Sequence, residues 1–210
     1  MPISRLFRTL SSRLQSWLSV AEEPHASDLI FVFAGKMERK EYGLELLRQH
    51  VAPTALFSVG RFEIRRFSKM DLPVPLDLLQ IAQPVPPPQR HYFVFFHDQY
   101  VAYELVQLKR FGTLSEVRAL AQWLGAHPEI RSLLIVSSAY HLRRIRLCCR
   151  ALLSAKPALS YVAAPRTSPS TPPPARTASL AETQVQDAPP PSALLLELFK
   201  LFVYWFVVKF

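Results

Sequence analysis

The sequence predicts an α/β domain on a mostly parallel sheet with helices on both faces, and three observations predict it. Short apolar runs rich in aromatic and β-branched residues recur, and two of them close on a glycine. Spans with apolar residues at helical spacing lie between those runs. The two kinds of segment alternate along the chain, which is the signature of β-α-β units and a parallel sheet.

Asp28 opens the run Leu29-Ile30-Phe31-Val32-Phe33-Ala34, which ends at Gly35. An uninterrupted apolar run of this length reads as a strand buried on both faces. From Glu38 to His50, Tyr42, Leu44, Leu46 and Leu47 suit a helix, and after Pro53 the run Ala55–Gly60 reads as a second strand. That is a β-α-β unit, whose crossover should be parallel and right-handed. Pro73, Pro75 and the group Pro84, Pro86, Pro87 and Pro88 interrupt regular structure over 61–90, leaving room for a short helix near Leu76–Ala82. His91–His97 and Val101–Leu108, separated by Asp98-Gln99, suggest an antiparallel hairpin inserted into the alternation, although Ala102–Arg110 can also be drawn as a helix. Thr113 sits as an N-cap with Glu116 three residues on, the capping-box pattern, and Val117, Leu120, Ala121 and Leu124 continue it as an amphipathic helix. A buried strand over Arg131–Val136, a helix over Tyr140–Ser154 and a strand near Leu159–Ala163 complete the alternation.

Residues 28–163 thus form the domain. Before it, residues 1–20 place Leu6, Phe7, Leu10, Leu14, Trp17 and Leu18 at helical spacing among Arg5, Arg8 and Arg13. Such a basic amphipathic helix suits an anionic membrane surface or a first helix packed on the domain. After the domain, residues 165–191 are rich in Pro, Ser, Thr and Ala and read as a solvated linker. Residues 192–210 form an apolar C-terminal helix. Glu197 and Lys200 near its middle are costly at a bilayer centre, so docking on the domain or resting at an interface is expected rather than spanning.

The formal net charge is +9 with a pI near 9.9, which favours anionic partners. No DNA- or RNA-binding motif accompanies the arginines, so a small anionic molecule is the expected partner, with a membrane surface second. Cys148 and Cys149 are the only cysteines. As neighbours in one helix they read as two buried thiols, consistent with a cytoplasmic location. Residues 1–20 lack the continuous apolar core of a signal peptide.

In open α/β sheets ligands bind beyond the carboxyl ends of the strands. Three features fall there: Gly35 with Lys36 and Arg39, Ser58 with Gly60, and Ser137-Ser138 with His141. Glycines admit a ligand to backbone amides, helix N-termini favour anions, and arginine grips phosphate at two points. His141 is the side chain whose ordinary pKa allows proton exchange near neutrality, and Glu116 could orient it or act as a base. Arg143, Arg146 and Arg150 read as a solvated face. The scattered histidines show no metal spacing, and no Walker loop, GxGxxG or GxSxG is present, so no cofactor is assigned.

These residues resemble the bacterial YdcF/SanA/ElyC-like domain of unknown function. The order D-x-I-x-V-x-x-G…R is Asp28 to Gly35 with Arg39, S-x-G is Ser58 to Gly60, and T-x-x-E is Thr113 to Glu116. The block V-[ST]-S-x-Y-H-[LM]-x-R is Val136 to Arg144, and a closing E-x-x-K-x-x-x-Y is Glu197 to Tyr204. The resemblance implies a three-layer Rossmann-like fold and a role in bacterial cell-envelope metabolism, at or near the inner membrane. It also implies a pocket lined by Gly35, Arg39, Ser58, Gly60, Thr113, Ser137, Ser138 and Arg144, with His141 and Glu116 as candidate catalytic groups. Two departures stand out: Arg61 replaces a second glycine after Gly60, and the Pro-rich region with the hairpin takes the place of an acidic helix.

Overall fold

Leu29–Val32 is apolar at every position and buried at every position. A strand with no polar face has to lie inside a sheet covered on both sides. The computed structural model describes residues 21–97, 99–108, 112–153, 157–165 and 191–209. The expected N-terminal helix over 1–20 and most of the linker lie outside the described residues. The strands are β1 (Leu29–Val32), β2 (Thr54–Gly60), β3 (His91–His97), β4 (Tyr100–Leu105), β5 (Ser132–Ser137) and β6 (Ala158–Ala163). They form one six-stranded sheet in the order β4-β3-β2-β1-β5-β6, with β1 inside it. The four strands β2-β1-β5-β6 are parallel, and β3 and β4 add an antiparallel hairpin beside β2.

The helices are α1 (Met37–Arg48), α2 (Ile64–Phe67), α3 (Leu78–Ala82), α4 (Gly112–Gly125), α5 (Ala139–Leu152) and α6 (Pro191–Lys209). Alternate residues of β1 point to opposite faces, and the core divides accordingly. Ile30 and Val32 pack with Leu44 of α1, Phe67 of α2 and Leu78 of α3. Leu29 and Phe31 share the other core with Leu114 and Val117 of α4, Leu142 and Ile145 of α5, and Tyr204 of α6. The result is the three-layer arrangement expected from the alternation.

The amino end of the sheet is tied by Asp28. Its carboxylate accepts hydrogen bonds of 2.8 Å from both Arg131 N and Ser132 N, and its own amide donates to Ser132 Oγ at 2.9 Å. Those bonds hold its pKa below the usual carboxylate value, the Arg131 amide contributing most. Asp28 therefore fixes the start of β1 against the start of β5, at the edge opposite the glycine turns.

Several expectations change in detail. The second arm of the hairpin is a strand, not a helix, and ends at Leu105, with Val106 N still donating to His91 O at 2.7 Å. Thr113 is not the N-cap: α4 begins at Gly112, so Thr113 lies in its first turn and is buried. Nor does Glu116 close a capping box; its carboxylate crosses to Ala34 N at 2.7 Å. Arg150 is exposed, but Arg143 and Arg146 are partly buried, the Arg146 guanidinium 5.5 Å from the Tyr161 ring centroid. Cys148 and Cys149 are buried free thiols, and burial pushes Cys148 up to about 12.

The C-terminal helix docks on the domain. Tyr204 and Glu197 face inward while Leu196, Phe199 and Phe202 are exposed. Among the described residues no helix is long and apolar enough to cross a membrane.

Gly43 lets α1 pack closely on the sheet. A Cβ there would lie 2.4 Å from Val32 Cγ2 and 3.2 Å from Phe57 Cε1. Over-packing of this kind costs about 1–3 kcal/mol, against a gain of about 1 kcal/mol in helix propensity. Gly43→Ala should therefore lower the urea midpoint; an unchanged or raised midpoint would show that α1 moves freely away from β1.

Candidate functional site

The chain leaves β1 for α1 on one face of the sheet and leaves β5 for α5 on the other. Because β1 and β5 are neighbours, their carboxyl ends part at a topological switch point, where a crevice opens. Gly35 makes the turn after β1 with φ +132°, a conformation that L side chains rarely adopt. A Cβ at that position would also press on Arg39 Nη1 at 2.9 Å.

Arg39 crosses the switch point. It projects from the first turns of α1, buried, with Nη1 donating to Ala34 O at 2.6 Å and Nε donating to Ser138 Oγ at 3.1 Å. Ser138 occupies the N-cap position of α5, yet its hydroxyl caps no helix amide and serves the guanidinium instead. Burial pulls the Arg39 pKa down, opposed by Tyr140, Glu116 and Glu63. From an ordinary value above 12 it remains a cation. Its Nη2 has no hydrogen-bond partner among the described residues.

Beside it, Lys40 is fully buried. Its ammonium donates to Phe33 O at 2.7 Å and pairs with Glu63 Oε2 at 3.2 Å. The Glu63 carboxylate also accepts from Gly35 N and, at 3.4 Å, from Gly60 N, so one side chain joins the turns after β1 and β2. Burial pulls the Lys40 pKa down, and Glu63 opposes it.

Two polar chains lie under this layer. In the first, Ser58 Oγ is hydrogen-bonded to His91 Nε2 at 2.7 Å, beside the Glu116 carboxylate. Burial lowers the His91 pKa to about 4, with Lys40 contributing, and burial raises the Glu116 pKa. In the second chain, His141 stands between Thr113 Oγ1, 3.2 Å from Nε2, and Ser137 Oγ, 3.1 Å from Nδ1. Burial, then Arg144 and Arg39, hold His141 well below its usual pKa. Glu116 therefore accepts from Ala34 N, and does not orient His141 as the sequence suggested.

Arg144, one turn beyond His141, is turned towards α6. Its Nη1 donates to Glu197 Oε2 at 2.6 Å, both side chains being buried, and its guanidinium lies 5.4 Å from the Tyr204 ring centroid. Lys200 reaches the other Glu197 oxygen at 3.0 Å. The closing E-x-x-K-x-x-x-Y helix is thus clamped to the helix that carries His141.

The open volume lies above these groups. A cleft of about 750 Å³ is lined by Gly35, Lys36, Met37, Glu38, Arg39, Glu41, Phe62, Glu63 and Arg66. A second cleft of about 600 Å³ adjoins it across Phe62 and holds Gly60, Arg90, His91 and Gln107. All ten residues singled out from sequence gather at this edge of the sheet. Gly35 and Arg39 line the first cleft and Gly60 the second. Ser58, Thr113, Glu116, Ser137, Ser138 and His141 form the buried layer beneath, and Arg144 points to α6.

Lys40, Glu63 and His91 were not among the expected residues. Lys40 had a usable signal, since it lies four residues before Leu44 on the core-facing stripe of α1. Glu63 follows the strand-closing Gly60 by three residues, a spacing that lets a carboxylate fold back on the turn amides. His91 depends on the antiparallel pairing of Gly60 with His91, which no local pattern encodes.

Fold and site together define an open α/β domain with a cation-bearing cleft at the switch point of its sheet. The chain matches no family model, no curated protein and no solved structure.

Two tests follow from the clamp and the histidines. Glu197→Ala strands a buried guanidinium and should cost about 3–5 kcal/mol of stability in chemical denaturation. Lys200→Ala removes only the partly exposed partner and should cost under about 1 kcal/mol; equal losses would mean that the Arg144–Glu197 pair has no special weight. His91 binds its proton near 4 when folded and near 6.5 when unfolded. Its contribution to stability is therefore whole above about pH 6.5 and drains away as pH falls to about 4. The unfolding free energy should drop across that window, and His91→Gln should reduce the slope.

Proposed function

We propose that the chain is a YdcF/SanA/ElyC-like protein that binds a phosphorylated or nucleotide-like anion in the cleft beside Arg39, within bacterial cell-envelope metabolism. Arg39 carries this reading. A buried guanidinium at a topological switch point, braced by Ala34 O and Ser138 Oγ, keeps Nη2 for a ligand oxygen and loses no further freedom on binding. Lys36 and Arg66 add positive charge to the lining and Glu38 and Glu41 negative charge, while the charge of Glu63 is matched by Lys40, so that the buried Arg39 is what gives the cleft its anion preference. The cytoplasmic side of the inner membrane is the proposed location, with peripheral contact through the exposed Leu196, Phe199 and Phe202.

In an enzymatic version Glu116, whose pKa burial raises, is the group that holds a proton, and neutral His141 orients Thr113 and Ser137. A non-catalytic ligand-sensing module is the second reading. It is favoured by the depth of the candidate catalytic pair, Glu116 and His141 being 5% and 8% exposed, and by the engagement of both imidazole nitrogens.

Calorimetric titration of the full chain with inorganic pyrophosphate tests the binding claim, and a thermal-shift series with nucleotides and lipid-linked phosphates extends it. Arg39→Ala should weaken pyrophosphate at least about tenfold, the scale of a lost charge-assisted contact, and Arg39→Lys should restore little because an ammonium cannot bridge Ala34 O, Ser138 and a ligand. Undiminished binding in Arg39→Ala sinks the assignment. His141→Ala separates the two readings: an enzyme loses turnover and keeps binding, whereas a sensor shows no turnover in either form.

A further inference from the structure

Phe62 is 84% exposed, the most exposed large apolar side chain among the described residues. A single surface phenylalanine is ordinarily unremarked, but three features set this one apart. It stands on the ridge between the two clefts and lines both. It is displayed from a fixed turn: Glu63 N donates to Gly60 O at 2.8 Å, the Glu63 carboxylate is held by Lys40, and Ile64 and Phe67 of α2 are buried immediately afterwards. The Arg61 guanidinium lies 4.4 Å from the ring centroid, covering part of the ring and leaving the side chain largely open.

An open aromatic face carried on a fixed turn beside an arginine-bearing cleft suits a ligand that carries a flat ring as well as an anion. The second cleft meets the needs of such a ring. Val106 and Leu108 supply apolar wall, while Arg90, His91 and Gln107 offer polar groups to the edge of a heterocycle. An acyl chain would need a continuous apolar groove, which these polar residues interrupt.

We propose that the two clefts are one bipartite site: Arg39 takes the phosphate end of a nucleotide, and its base stacks on Phe62 with its edge in the Arg90–Gln107 cleft. This rests on the anion-binding reading above and adds the class of ligand.

The test is calorimetry on the full chain with inorganic pyrophosphate and with nucleoside diphosphates carrying adenine, guanine or uracil. For the wild type, at least one nucleotide should bind about tenfold or more tightly than pyrophosphate, as expected for one stacked base. Phe62→Ala, at so exposed a position, should keep its melting temperature and bring that ratio towards one, and Phe62→Trp should keep the ratio, with indole fluorescence quenched on binding. If pyrophosphate binds and no nucleotide exceeds it, or if Phe62→Ala leaves the ratio unchanged, the bipartite site is overturned and the anion site stands. If neither pyrophosphate nor any nucleotide binds, the anion reading falls and takes this one with it.

Discussion

The architecture of this edge of the sheet depends on where Lys40 finds partners. An ammonium with no exposed surface costs several kcal/mol unless it is paired and hydrogen-bonded. Phe33 O and the Glu63 carboxylate meet that need. Because Glu63 belongs to the turn after β2 and Phe33 to the end of β1, satisfying one charge fixes two turns against each other. The same carboxylate receives the Gly35 amide, so the backbone that leads into α1 is set by the same interaction. Arg39, one residue before Lys40, then has its origin determined and can span to Ser138 on α5.

Helix α6 extends this logic to the other side of the sheet. The Arg144–Glu197 pair joins it to α5 three residues after His141. The second layer of the site, Thr113, Ser137 and His141, is therefore bounded by α1 on one flank and by a clamped helix on the other. Burial keeps the two histidines neutral and drives the glutamate in the layer towards its protonated form, against the hydrogen bond that it accepts from Ala34 N.

Much of this was legible in the residues. Unbroken apolar runs cannot be half-exposed strands, so Leu29–Ala34, Ala55–Gly60 and Arg131–Val136 had to be central, and their alternation with helical spans required parallel crossovers. The glycine and serine strand ends marked the functional edge for the same reason. What escaped is non-local. Thr113 followed by Glu116 satisfies the capping-box pattern, but the Ala34 amide, eighty-two residues earlier in the chain, donates to the carboxylate instead. Lys40 stands in the charged stretch from Lys36 to Glu41, which resembles a solvated face, although its phase with Leu44 puts it inward. Arg144 falls in a motif that invites a ligand-binding role, and only tertiary packing supplies Glu197. Strand pairing alone brings His91 to Ser58.

The amides of Ala34 and Gly35, which would otherwise point at an incoming anion, are already engaged by Glu116 and Glu63. An anion at this cleft therefore meets side chains of both signs, Arg39, Lys36 and Arg66 among Glu38 and Glu41, rather than a dehydrated nest of backbone donors. Attraction of that kind is screened over a Debye length of about 8 Å at physiological ionic strength. Discrimination then follows ionic valence more than shape: a multiply charged anion is drawn in more strongly than chloride at low salt, and it loses more of that advantage as salt rises.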